Sequence, residues 1–180
     1  NPRPMACRCS GALMPKRQTA KLLANAALFQ LGWFACVFSP EHPWLLLGPL
    51  LVLGVHIGWL SSWAAEGKLL LGSLLIGVTL DSALLHLGVF DFGKPRLLVP
   101  LWLALLWPLL ASTLRHSLAW TAQPWWRASL LGATSAPLSY YAGAQLAGVA
   151  LPYGTATTLL TLALIWAAVL PLLHRLAHDG

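Results

Sequence analysis

Asp81 has the most unusual surroundings of any side chain in this sequence, because it is a carboxyl group inside a long apolar run. The run covers residues 69–90, and its only other titratable group is His86. About 20 apolar helical residues are enough to cross the hydrocarbon layer of a membrane. An ionisable group in that layer is costly and usually has a function, so the pattern predicts that Asp81 binds a proton or a polar substrate group. The alternative is a hydrogen-bonded Asp81 that only fixes the packing of helices.

Polar side chains of three other apolar runs are expected at the depth of Asp81. A helix rises 1.5 Å per residue, so the depth of a side chain follows from its position in the run. On this basis Gln30, His56, Tyr140 and Tyr141 lie near the midplane together with Asp81. We therefore predict a buried polar cluster of these five side chains, which could bind a lipid or a small solute. His56 could relay protons to Asp81, or it could be a buried neutral histidine with one hydrogen bond.

Arg115 and His116 lie near the end of another apolar run and are candidates for lipid-headgroup binding. The planar guanidinium of Arg115 suits the recognition of a phosphate. The alternative is an Arg115 side chain that extends to the headgroup layer without recognising a particular group.

The sequence predicts no metal site and no cofactor. His174 and His178 share a helical face at a spacing of four residues, but two ligands do not complete a metal site. The motifs of serine hydrolases, zinc proteases and phosphate-binding loops do not occur. An enzyme is therefore the less favoured interpretation, although the sequence does not decide the question.

Six apolar runs must position these side chains. They cover residues 20–38, 44–65, 69–90, 97–120, 125–150 and 155–176. The connections are short, which makes consecutive helices antiparallel neighbours. The sequence thus predicts an all-α membrane protein, a six-helix transmembrane bundle, in which Trp102, Trp107 and Trp166 are packing residues. Gly54 and Gly58 form a GxxxG pair that could contact another helix or a partner membrane protein.

Composition and charge support this architecture. Hydrophobic residues make up 58% of the 180 residues and charged ones 9%, whereas a soluble domain has roughly 25% charged residues. Nine of the eleven Lys and Arg residues fall on one side of the bundle if both termini are cytoplasmic, so the positive-inside rule predicts N-in, C-in topology with cytoplasmic tails at 1–19 and 177–180. Five of them precede the first run. The net charge of +6 therefore reflects topology, and we expect no nucleic-acid partner.

Residues 1–13 differ in character from the rest of the chain. Met14 opens a basic stretch followed by an apolar run, as a natural start does, which suggests that residues 1–13 are not native. Cys7 and Cys9 in this part supply only two of the four ligands that a structural zinc site needs. A cleaved signal peptide is the competing interpretation, but the first apolar run is longer than most signal-peptide cores.

Four strings carry a resemblance to a known family. They are FQLGWFACV in the first run, LDSALLHLGVF around Asp81, PLWLALLWPLLASTLRHSLAW at residues 100–120 and GATSAPLSYYAG at residues 132–143. Together they resemble a bacterial family of small integral membrane proteins known only as a domain of unknown function, over residues 22–176. The resemblance implies an inner-membrane location and no assigned activity. Genes of that family often lie beside cyclopropane-fatty-acid synthase genes, so the resemblance implies a role in lipid modification or envelope stress.

Three functions follow from the sequence. The leading one is a multi-pass inner-membrane protein that binds or moves a lipid or small solute through the polar cluster around Asp81. The second is a membrane-embedded enzyme, or enzyme subunit, of acyl-lipid modification with Asp81 and His56 as acid–base groups. The third is a scaffold subunit of a membrane complex.

Overall fold

The computed structural model describes residues 16–179, and within that range the chain forms six α-helices. They are α1 (Lys16–Phe38), α2 (Leu47–Val55), α3 (Trp63–His86), α4 (Leu101–Leu114), α5 (Trp126–Ala147) and α6 (Thr155–Asp179). A 3₁₀ helix (Pro43–Leu46) precedes α2, a π-helical segment (His56–Leu60) follows it, and a second 3₁₀ helix covers Ala119–Thr121. The all-α prediction is therefore confirmed for the described part of the chain. The predictions for residues 1–13, Cys7, Cys9 and Met14 fall outside the described residues.

The surface and the helix lengths are those of a membrane protein. Four helical segments are long and apolar enough to cross a membrane: Lys16–Phe38, Pro43–Leu60, Trp63–His86 and Thr155–Asp179. α4 is apolar but has only 14 residues. Large apolar side chains such as Leu75 and Leu164 project outward, with exposed fractions of 69% and 77%, and soluble proteins rarely expose large apolar patches of this kind. The six-span N-in, C-in topology stays a prediction.

The break between the second and third apolar runs is four residues earlier than expected. The sequence placed the end of the second run at Ala65, with Glu66 in a connecting loop. In the structure Ser62 has an extended backbone, and its hydroxyl accepts a hydrogen bond from the backbone N–H of Ala65 at 3.3 Å. A serine in this position caps a helix N-terminus. α3 therefore begins at Trp63, and Glu66 belongs to its first turns, where a negative charge is favourable.

The third and fourth apolar runs are longer than the helices that they form. α3 ends at His86, and Gly88 then takes a positive φ of 77°, which favours glycine and turns the chain. α4 begins after Pro100, whose backbone is extended, and it ends at Leu114. The residues on either side of α4 therefore form loops and turns, although the sequence predicted helix over residues 97–120.

α4 lies at the centre of the bundle. Most of its residues are buried, and it packs against α1, α2, α3 and α6. A helix that is apolar on all sides suits such a position. α5 instead packs mainly against α6, where a Cβ atom on Gly132 would lie only 2.2 Å from the carbonyl oxygen of Trp166. Two closely packed regions thus form, and a cavity lies between them.

Gly54 and Gly58 do not mediate a helix crossing within the described residues. A Cβ atom built on either glycine meets no other atom within 4 Å. The expected close contact with another helix of this chain is therefore wrong, because α2 and the π-helical segment turn this face outward. A partner membrane protein at this face stays a prediction.

Candidate functional site

Asp81 is the centre of a hydrogen-bonded group that joins three helices. The side chain is completely buried. The hydroxyl of Tyr140 in α5 donates to Oδ1 at 2.7 Å, and the indole N–H of Trp107 in α4 donates to Oδ2 at 2.8 Å. Buried polar groups need such partners, because an unpaired one loses its bonds to water without replacement. We call Asp81, Trp107 and Tyr140 the Asp81 cluster.

Gly77 makes the contact between Trp107 and Asp81 possible. It lies one helical turn before Asp81, on the same face of α3. A Cβ atom at this position would lie 2.0 Å from Cγ of Trp107, which is far closer than atoms can approach. Only glycine therefore allows the indole to lie against α3 and reach the carboxyl group. The sequence interpretation of Trp107 as a packing residue missed this hydrogen bond.

A cavity of about 560 Å³ borders the Asp81 cluster. Tyr140 and Trp107 line it, together with apolar side chains from α1, α4, α5 and α6 such as Trp33, Leu106 and Leu170. The ring of Trp107 also stacks on that of Trp166, with centroids 4.9 Å apart. Ligand pockets typically measure about 300–1,000 Å³ and have mostly apolar walls with a few polar groups. The cavity is therefore of a suitable size and character for an apolar ligand.

Two loops close one end of this cavity. Asp91, after α3, and Ala150, after α5, exchange two backbone hydrogen bonds of 3.0 and 2.9 Å. The hydroxyl of Tyr153 in the second loop donates to the carbonyl of Leu87 in the first at 2.7 Å. This connection holds Phe90 against the cavity, where its ring stacks on Tyr140 at 5.6 Å between centroids.

The structure brings some of the predicted site residues together. Asp81 and Tyr140 are in direct contact, whereas Gln30 lines the cavity from α1 but is an exposed residue outside the Asp81 cluster. Tyr141 is 37% exposed on the outside of α5, so its expected place in the cluster is wrong: the next residue on a helix points about 100° away from its neighbour. The binding roles of these residues stay predictions.

His56 does not belong to the Asp81 cluster. Its Nε2 lies 2.6 Å from Oε2 of Glu66, and Glu66 precedes Asp81 by about 22 Å along α3. The prediction that His56 and Asp81 lie at one level is therefore wrong. It failed because the second helical segment ends near His56, in the π-helical segment just before α3 begins.

Glu66 connects two histidines in a second buried group. Its Oε1 lies 2.7 Å from Nε2 of His116, in the turn after α4, in addition to the contact of Oε2 with His56. Glu66 and His56 are each 1% exposed, whereas the His116 side chain is 22% exposed. We call these three residues the His–Glu–His cluster. Sequence reasoning missed Glu66, although a serine cap shortly before it was a usable signal.

Asn25 and Arg115 support the second cluster. Nδ2 of Asn25 donates to the carbonyl of Ser112 at 2.9 Å and lies 3.4 Å from Nδ1 of His56. Arg115 donates to the carbonyl oxygens of Ala65 and Ala177, which connects the start of α3 with the end of α6. Arg115 and His116 therefore both have partners within the chain, and headgroup binding by them stays a prediction.

Within residues 16–179, fold and site together define an α-helical membrane protein with two buried polar clusters and an apolar cavity. A family model with the description "Protein of unknown function (DUF2878)" matches residues 22–172. The chain belongs to this family, which confirms the resemblance to an uncharacterised family. No curated protein and no solved structure shows a significant match to the chain.

Proposed function

We propose that this protein is a multi-pass protein of the bacterial inner membrane that binds a lipid, or a similarly long apolar molecule, in the cavity beside the Asp81 cluster. The observation that carries the proposal is the cavity of about 560 Å³ with its almost wholly apolar wall. Such a wall excludes small polar solutes, because they would lose their hydrogen bonds to water on entry. An acyl or isoprenoid chain makes no hydrogen bonds to water, so it loses none on entering the cavity.

The polar groups at the cavity indicate what else the ligand carries. The hydroxyl hydrogen of Tyr140 is directed to Asp81, so the Tyr140 oxygen is left as an acceptor. Such an acceptor suits a ligand group that carries a donor hydrogen, for example a hydroxyl group. We therefore favour a lipid with a hydroxyl group near its apolar chain.

The two alternative functions differ in their support. The enzymatic function relied on His56 and Asp81 as an acid–base pair. His56 contacts Glu66, which lies about 22 Å from Asp81 along α3, so the two groups cannot act as such a pair. A scaffold function is compatible with lipid binding, and the open face at Gly54 and Gly58 is the surface that would serve it.

Lipid binding can be tested by filling the cavity. Ala136 lines the cavity and is buried, so Ala136→Phe adds a ring to the space that the ligand would occupy. Thr134→Phe places the same ring on the exposed face of the same helix and is the matched control. Native mass spectrometry of the full chain released from detergent would show bound lipid. We expect one retained lipid in the wild type and in Thr134→Phe, and its loss in Ala136→Phe. Equal retention by both variants would contradict the proposal.

A further inference from the structure

The His–Glu–His cluster presents three ligand atoms to one point. One ring nitrogen of His56, one ring nitrogen of His116 and one carboxylate oxygen of Glu66 all lie within 4.8 Å of one another. The two imidazole rings are nearly perpendicular, with centroids 5.0 Å apart and an angle of 87° between planes. They approach Glu66 from different elements, since His56 belongs to the π-helical segment and His116 follows α4.

The donor set is one that transition metals prefer. Two neutral imidazoles and one carboxylate bind zinc in several hydrolytic enzymes, and the same set binds ferrous iron in oxygenases. Zinc–nitrogen bonds of about 2.0–2.1 Å and zinc–oxygen bonds of similar length separate tetrahedral ligand atoms by roughly 3.3 Å. The present contacts of 2.6 and 2.7 Å go to different oxygens of Glu66, Oε2 and Oε1, and an ion between the carboxylate and the two rings would lengthen each contact by less than about 1 Å. Small side-chain rotations are sufficient for such a change.

The backbone around His56 is also unusual. The N–H of Ser61 donates to the carbonyl of His56 at 2.8 Å, which is the five-residue spacing of a π-helix. π-helical turns are rare and are frequent at functional sites, because they redirect a side chain at a cost in helix stability. Here the turn directs His56 to Glu66, so a locally unfavourable backbone coincides with the three converging ligands.

We propose that His56, Glu66 and His116 bind a divalent first-row transition metal such as zinc. The partial exposure of His116 supplies a path for the ion and a place for water as the fourth ligand. Binding through Nε2 leaves the hydrogen of His56 on Nδ1. Asn25 lies beside this nitrogen, with its Nδ2 atom 3.4 Å away and held by a hydrogen bond to the carbonyl of Ser112. The site is independent of the lipid cavity, since Glu66 and Asp81 are about 22 Å apart along α3.

The test uses the full chain in detergent, stripped with a chelator and titrated with Zn²⁺ or Co²⁺. We expect one equivalent of either metal to bind, and Co²⁺ to give the visible absorption bands of a four- or five-coordinate site. Loss of an outer partner of a metal ligand already weakens binding roughly 10–100-fold. His116→Gln, which keeps a hydrogen-bond partner for Glu66 but removes the ligand nitrogen, should weaken binding at least about 100-fold.

The control variant is His174→Gln. His174 is a buried histidine of α6 that contacts Thr121 and lies outside the cluster, so its replacement should leave the affinity unchanged. Thermal melts show whether each variant is folded. If His116→Gln does not fold, His56→Gln tests the loss of a metal ligand in its place. Absence of stoichiometric binding by the wild type would overturn the proposal. The proposal would also be overturned if both cluster variants bound the metal with wild-type affinity, or if His174→Gln weakened metal binding as much as they do.

Discussion

Replacement of Gly77 by alanine should break the Asp81 cluster without touching any of its polar atoms. The new Cβ atom would lie 2.0 Å from Cγ of Trp107, whereas ordinary contacts begin at 3.4 Å, so the indole must move by the difference, about 1.4 Å. A shift of that size breaks or strongly weakens the hydrogen bond of 2.8 Å from Trp107 to Asp81.

The size of the expected loss of stability in Gly77→Ala follows from two effects. Overpacking in a dense core costs typically about 1–3 kcal/mol, and leaving the buried indole N–H of Trp107 without its acceptor costs about 1–3 kcal/mol. We therefore expect Gly77→Ala to lower the free energy of unfolding by about 2–6 kcal/mol. The assay is denaturation of the purified protein in mixed micelles of mild detergent and sodium dodecyl sulfate.

Gly54→Ala is the matched control. Gly54 also lies in a helix, but its added Cβ atom would meet nothing within 4 Å among the described residues. Gly→Ala in a compatible helical position usually stabilises by about 0.4–1 kcal/mol. Equal stability of Gly77→Ala and Gly54→Ala would refute the reasoning, because it would mean that Trp107 does not lie against α3.

Three further predictions concern Asp81, Arg115 and Cys36. Asp81→Leu leaves two buried donors without an acceptor and should destabilise by about 2–6 kcal/mol in the same denaturation assay, whereas Asp81→Asn, which can still bond both groups, should cost less than half as much. Arg115→Ala removes the hydrogen bonds of the guanidinium group to the carbonyl oxygens of Ala65 and Ala177 and should destabilise by about 1–3 kcal/mol in thermal melts; an unchanged melting temperature would contradict the assigned contacts. Cys36 is completely buried, so in a Cys7→Ser, Cys9→Ser background a thiol reagent should label the protein only after unfolding, and rapid labelling of the folded protein would disprove the packing of α1.

Asp81 and Tyr140 show how far the sequence predicts the site. An acid in an apolar run is costly, so it must have polar partners, and depth alone identified Tyr140 as one of them. The role of Trp107 was not predicted, because an indole in an apolar helix is usually a packing residue. The glycine one turn before Asp81 was the available signal, since it leaves room for a large ring on that face.

The second cluster shows what the sequence does not contain. Hydropathy places an acidic residue between two apolar runs in a loop, and Glu66 was assigned in this way. Its true place depends on the cap at Ser62 and on the π-helical segment that ends the preceding helix. Both features place the helix bounds a few residues away from those that hydropathy predicts. The three residues of the His–Glu–His cluster, which belong to separate elements, converge only with these actual bounds. Such convergence is a property of tertiary structure and leaves no periodic pattern.

The most direct test of lipid binding is to identify where a photoreactive lipid attaches. A hydroxy fatty acid with a diazirine in its chain would be incorporated into membranes that contain the protein, illuminated and mapped by peptide mass spectrometry. We predict adducts on the cavity wall, at Leu106, Leu131 and Tyr140, and their loss in Ala136→Phe. Adducts confined to lipid-facing side chains such as Leu75 and Leu164, unchanged in that variant, would contradict the proposal that the cavity binds lipid.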